Sequence, residues 1–180
     1  MSRIGKLPIT LPKDTEVKIN GSNIYIKGKL GILEKSFPSN IKIKLESNKI
    51  ILHPLNKKKF NMSMWGTSRS IINNMIIGVS SGFTKKLHIV GRGYKSYVKE
   101  NILSLYVGKS HGFKIEIPEQ ISVIIPQKNI MHITGINKEQ IGIFCSLIIS
   151  LKPVEPYKGK GIRYSDQIVY IKDMGKGRSK

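Results

Sequence analysis

The sequence predicts an α+β protein of two tandem repeats, each an antiparallel-rich sheet packed with one helix, followed by an extended basic C-terminal tail. Three observations predict it. Short alternating apolar–polar runs, parted by Gly, Ser, Asn and Glu, read as hairpins. Each half closes on a single run with apolar residues at helical spacing. The last hairpin of the first half recurs at an offset of 80, matching Ile41 with Ile121, Ile43 with Val123, Leu45 with Ile125 and Ile50 with Ile130. The expected units are residues 1–82 and 83–152, with the tail over 153–180. Roughly 80 residues suffice for one modest core in each half.

In the first half, Val17 to Asn20 and Ile24 to Lys27 alternate around Gly21-Ser22, a two-residue hairpin signal. Gly31 to Phe37 is a further short strand, and Ile41 to Leu45 and Lys49 to Leu52 flank the turn Glu46-Ser47-Asn48. After Lys57-Lys58-Lys59 a helix follows, with Met64, Ser68, Ile71, Ile72, Met75 and Val79 on one face. Trp65 belongs to the core or its border, and Gly78 and Gly82 are able to end the helix.

The second half repeats this order. Lys85 to Val90 is a strand; Tyr94 to Lys99 and Ile102 to Val107 flank Glu100-Asn101; Lys114 to Ile117 follows. Ile121 to Ile125 and Ile130 to Ile133 flank Gln127-Lys128-Asn129. Asn137 caps a helix, with Gln140 three residues on, as in a capping box. Ile141, Phe144, Cys145, Ile148 and Ile149 form its buried face, and Lys152-Pro153 ends it.

The formal net charge is +20 over 180 residues. A soluble small domain usually carries a single-digit charge, about 2 to 8 in magnitude. Self-repulsion at this level calls for a counter-charge, which nucleic acid supplies. The longest apolar runs, such as 144–151, fall far short of the roughly 20 residues that span a bilayer. Neither a secretory signal nor a transit peptide is recognised at the N-terminus. The two halves carry equal charge, net +10 for 1–82 and for 83–180. Residues 152–180 hold net +5 and no long apolar run, which reads as an arm that orders on a partner.

The single cysteine, Cys145, excludes an intrachain disulfide and reads as a small core residue. The chain has no alanine, abundant isoleucine, and lysine at 26 of its 31 basic positions. Helix physics gives no reason to avoid alanine. Alanine codons are GC-rich while isoleucine and lysine codons can be almost wholly A and T, so the bias points to an AT-rich organelle or reduced bacterial genome.

No catalytic constellation emerges. Gly108-Lys109-Ser110 ends like a phosphate-binding loop, but Leu103 stands where its first glycine belongs. Gly91-Arg92-Gly93 opens like a dinucleotide fingerprint, yet Ser96 replaces the third glycine and a strand follows. His53, His88, His111 and His132 lack metal-ligand spacing. The chain is therefore expected to be no enzyme and to need no cofactor, metal or small-molecule substrate.

The binding chemistry is concentrated elsewhere. Glu155-Pro156-Tyr157-Lys158-Gly159-Lys160-Gly161-Ile162-Arg163-Tyr164 holds two lysines, an arginine, two tyrosines and one acid. Lysine is a point charge for phosphate, arginine binds it bidentately, and tyrosine stacks on exposed bases. Arg92, Tyr94 and Lys95 surround a glycine turn, and Lys109, Ser110 and His111 form a second polar loop. If the hairpin from Tyr94 to Val107 folds as drawn, Tyr94 and Lys109 meet at one edge, near the tail. Arg69 on the first helix either reaches a phosphate or is simply solvated.

These motifs resemble one family. Ser2-Arg3-Ile4-Gly5-Lys6 with Pro8 and Pro12, Gly66-Thr67-Ser68-Arg69-Ser70, Val90-Gly91-Arg92-Gly93-Tyr94, Val107-Gly108 with Ser110-His111, and Tyr157 to Tyr164 follow its order and spacing. The chain resembles the bacterial-type large-subunit ribosomal protein six family over essentially its whole length. Val154, Arg92 and Lys109 depart from the residues common there. The resemblance implies two α/β repeats and a structural, non-catalytic role in the large ribosomal subunit. It implies binding to large-subunit rRNA near the factor-binding region, close to the sarcin–ricin loop and stalk base, with neighbouring large-subunit proteins as further partners. The residues expected to contact rRNA are Arg69, Arg92, Tyr94, Lys95, Lys109, Ser110, His111, Tyr157, Lys158, Lys160, Arg163 and Tyr164. A mitochondrial or plastid ribosome is the expected location, with the cytoplasm of an AT-rich bacterium as the alternative. A free-standing RNA-binding regulator is the competing function.

Overall fold

The computed structural model describes residues 2–46, 48–56, 59–109 and 111–172, leaving Ser47, Lys57, Lys58 and Ser110 among those outside it. The chain divides into two compact units. The first comprises the residues up to Phe83 together with Ile136–Lys138; the second comprises Thr84–Gly135 and the chain from Glu139 onward.

The first unit begins with β1 (Ile9–Thr10), then an antiparallel meander of β2 (Glu16–Asn20), β3 (Asn23–Lys27) and β4 (Ile32–Ser36). The hairpin β5 (Ile41–Glu46) and β6 (Lys49–Pro54) follows, with β1 on the other side of β6. Helix α1 (Lys59–Ser80) closes the unit. Its buried positions Asn61, Trp65, Ser68, Ile72, Met75, Ile76 and Val79 recur at spacings of three and four. Met64 and Ile71, expected on that face, flank it half-buried. The Trp65 indole N–H donates to the Leu52 carbonyl at 2.7 Å, tying α1 to β6 in the core with Ile24, Ile26 and Ile50. Gly82, at φ 72°, ends the helix by donating to the carbonyls of Ile77 and Gly78.

The second unit holds β7 (Phe83–Val90, its first residue belonging to the first unit) and a meander of β8 (Lys95–Lys99), β9 (Ile102–Tyr106) and β10 (Phe113–Glu116). The β8–β9 turn uses positive φ at Glu100 (49°) and Asn101 (65°), the geometry that matches strand twist. The hairpin β11 (Ile121–Gln127) and β12 (Ile130–Gly135) precedes α2 (Lys138–Leu151), whose buried side chains are Ile141, Phe144, Cys145 and Ile148. Ile149 is only half-buried. Strand order in the larger sheet is β11-β12-β7-β13, with β13 formed by Gly161–Tyr164.

The repeat is real, but its offset is not constant. Ile41 and Ile121 are both buried, 80 residues apart; beyond the turn the buried residues are Ile50 and Leu52 against Met131 and Ile133, 81 apart. The match of Ile50 with Ile130 is thus corrected to Met131. A register irregularity between Ile124 and Gln127 takes up the extra residue. Pro126 lies in it; lacking an N–H, proline is tolerated in a strand at such a bulge.

The expectation of an extended tail without a core role is also corrected. Gly161–Tyr164 is the edge strand of the four-stranded sheet, and Ile162 is fully buried. The chain then returns, with the Lys172 N–H donating to the Pro156 carbonyl at 2.8 Å.

Candidate nucleic-acid interface

The β7–β13 ladder assembles the site. Gly161 lies opposite Val90, Ile162 opposite Ile89, Arg163 opposite His88 and Tyr164 opposite Leu87. The loop preceding β13 therefore emerges beside the turn that follows Val90. That loop is closed by its own backbone: Glu155 N–H donates to the Lys160 carbonyl (2.8 Å) and Gly159 N–H to the Glu155 carbonyl (3.0 Å). Its base is fixed by the Ile162 N–H on the Lys152 carbonyl (2.9 Å). Gly161 has φ 143°, and a Cβ there would stand 2.6 Å from the Pro153 oxygen, so only glycine fits. Tyr157 and Lys158 project from the tip, Tyr157 being 49% exposed, while Lys160 is half-buried.

Tyr94 links the remaining loops. Its ring lies against the backbone of both Gly91 and Gly108; a Cβ on Gly108 would meet the ring at 2.9 Å. Tyr94 is half-buried against its own chain, while Arg92 and Lys95 beside it are exposed. The expected meeting of Tyr94 with the Lys109 loop is present. Lys109 Nζ sits 4.7 Å from the Phe113 ring centroid, and Lys109 and the exposed His111 line a shallow cleft with Gly108, Gly112 and Phe113. Ser110 falls outside the described residues.

In the second unit the β7–β13 ladder thus sets the Tyr157–Lys160 loop beside the turn that carries Arg92, and the Tyr94 ring ties that turn to the loop of Lys109 and His111 in the neighbouring three-stranded sheet. Arg163 and Tyr164 belong to the strand itself and are half-buried. Lys85 Nζ lies 5.5 Å over the Tyr164 ring, and burial raises the Tyr164 pKa, reinforced by the neighbouring Cys145 and Asp166. Arg69 is not part of this cluster. It lies in the first unit, where its Nε donates to the Leu7 carbonyl at 3.3 Å.

One cation was overlooked in the sequence. Lys128 is exposed at the β11–β12 turn, and its carbonyl accepts from the Ser96 hydroxyl at 3.2 Å. The next residue, Asn129, accepts from the Ile89 N–H at 2.8 Å. These bonds bring the turn beside β7 and β8, across some forty residues of chain, which no local pattern reveals. Among the described residues, no group of three or more His, Cys, Asp or Glu could hold a metal, and no helix is long and apolar enough to cross a membrane.

The arrangement presents cations, phenols and glycine backbone over a short surface, a chemistry suited to phosphate and ribose. Comparison with known proteins gives the same direction. The chain matches the profile of ribosomal protein L6 over residues 11–82 and again over 90–165. It is similar to the large ribosomal subunit protein uL6 of Hydrogenovibrio crunogenus, at 40% identity over 98% of this chain and 99% of that protein. With a match in each unit and a relative aligned almost end to end, the chain belongs to the ribosomal protein L6 family.

Proposed function

We propose that the protein holds large-subunit rRNA through the basic edge of its second unit, near the factor-binding region formed by the sarcin–ricin loop and stalk base. Family membership makes it a structural component of the large ribosomal subunit, with rRNA and ribosomal proteins as partners. The observation that carries the finer reading is the β7–β13 ladder, which sets the loop of Lys158 and Lys160 beside the turn that carries Arg92. Lys158, Lys160, Arg92, Lys95 and Lys109 neutralise phosphates, with Ser110, His111 and Arg163 alongside them. Tyr157 is free to stack on an unpaired base, while Tyr94 and Tyr164 hold the loops and strand at their spacing. Arg69 serves the fold of the first unit first, and any phosphate contact uses its remaining donors.

No reaction and no cofactor enter this role. The absence of alanine and the lysine-rich basic set fit an AT-rich genome, taken as that of a mitochondrion or plastid, with an AT-rich bacterium as the alternative. Sedimentation with backbone footprinting tests the reading. The protein should travel with large subunits in stoichiometric amount and protect rRNA at the factor-binding region, and replacing Lys158 and Lys160 by alanine should lift that protection. A protein found free of ribosomes, or protecting another region, would refute it.

A further inference from the structure

Tyr97 and Tyr106 are absent from the edge just described. They stand on adjacent strands of the β8–β9–β10 meander, with ring centroids 5.8 Å apart, planes inclined by 22° and hydroxyls 3.1 Å apart. Both remain well exposed, at 46% and 40%. The Tyr106 ring is backed by Gly112, where a Cβ would stand 2.8 Å from it. Tyr106 thus rests on its own backbone and holds Tyr97 in place.

Tyr97 in turn lines a cleft of about 450 Å³. The opposite wall is the irregular end of β11, Ile125, Pro126 and Gln127, with Lys128 of the turn that follows. The Ser96–Lys128 hydrogen bond fixes the separation of the walls. Bulges often re-aim side chains beside functional sites. Here one sets Gln127 and Lys128 beside the strand that carries Tyr97.

We infer that the exposed Tyr97 ring, at the rim of this cleft, stacks on one unpaired RNA nucleobase. Stacking suits any base because each has a π face. Gln127 carries both a donor and an acceptor for a base edge. Lys128, together with Lys95 and Lys99 on the same strand as Tyr97, supplies positive charge for the adjoining phosphates. The charge is what selects the occupant: an apolar peptide would offer no counter-charge to Lys95 and Lys128, whereas Lys99 already has Glu100 at 3.8 Å. The inference rests on the reading that the second unit meets rRNA, and adds a single-stranded nucleotide to its contacts.

The test uses the full-length protein and two RNA hairpins that differ by one bulged uridine. The measured quantity is the ratio of their affinities. Base stacking predicts a ratio of about five to a hundred in favour of the bulged hairpin. Tyr97→Leu should bring the ratio to one without changing affinity for the paired hairpin, whereas Tyr97→Phe should preserve it. With 5-iodouridine at the bulge, the wild-type crosslink should fall on the peptide containing Tyr97. A wild-type ratio of one, a ratio that survives Tyr97→Leu, or a crosslink elsewhere would overturn the inference. Failure of the basic-edge reading shows differently, as large-subunit binding insensitive to Lys158→Ala and Lys160→Ala whatever the ratio.

Discussion

Ile162 stands directly opposite Ile89 in the antiparallel ladder, and neither side chain reaches solvent. The segment that carries the most conspicuous binding chemistry is therefore part of the second core. Binding and stability are joined there, and the substitutions that separate them follow from which way each side chain faces.

Ile162→Ala should lower the stability of the second unit by about 2–5 kcal/mol, the range for emptying a buried aliphatic site. Deleting residues 153–180 should lower it further, because the β7 edge then loses its partner strand. Lys158→Ala, at an exposed position, should leave the melting temperature within a degree or two. Thermal melts of the three variants check this; a truncated chain as stable as the parent would contradict it.

Neutralising phosphates releases counterions, so affinity for large-subunit rRNA should fall steeply with salt. Lys158→Ala and Lys160→Ala should each reduce the slope of log K against log salt by roughly one unit, if each neutralises one phosphate. Lys18→Ala, a surface change in the first unit, is the matched control and should leave the slope unchanged. Equal losses from all three would show that total charge, rather than a built site, holds the RNA.

Glycine substitutions should rank by what surrounds them. Gly93 has φ 77° but open space about it, so Gly93→Ala should cost about 1–2 kcal/mol of backbone strain alone. Gly161 has both positive φ and the Pro153 carbonyl in the way, so Gly161→Ala should cost more and weaken rRNA binding as well. Denaturant titration of both variants tests the order.

Burial pushes the Cys145 thiol up to about 11 from an ordinary 9.0, with Lys85 opposing the shift. The folded state favours the neutral thiol. Its contribution to stability is full below about pH 9 and is lost as pH rises from 9 towards 11. Alkylation of Cys145 at pH 8 should accordingly be slow in the native protein and fast in denaturant. Rapid native labelling would mean that the α2 face opens readily.

Trp65→Phe keeps an aromatic ring but removes part of the buried indole and its bond to the Leu52 carbonyl. A loss of about 1–3 kcal/mol is expected. Since the basic edge is built wholly from second-unit residues, the salt slope of rRNA binding should not move.

The hairpins and both helices were legible because turn chemistry and alternation are local. Gly21-Ser22 and Glu100-Asn101 announce tight turns, and Phe144, Cys145 and Ile148 a helix face. What escaped was non-local or too short. β1 has two residues between prolines, and β13 shows one apolar residue, Ile162, among glycines and charges. The extra residue at Pro126 shifted the repeat by one, because a bulge leaves no mark in a single-strand pattern. For the site, residue types sufficed to nominate Lys158, Lys160 and Arg92. Only the ladder and the Ser96 bond show that Lys128 lies near β8, and only packing shows that the Tyr94 ring rests on Gly91 and Gly108.

β13 must find β7 across some seventy residues of intervening chain. Ordering that much chain costs conformational entropy before any contact offsets it, whereas the meander and the β11–β12 hairpin close from neighbouring residues. The ladder is therefore expected to form late. A chain caught before that moment carries all its positive charge but not the shaped surface that the paired strands support.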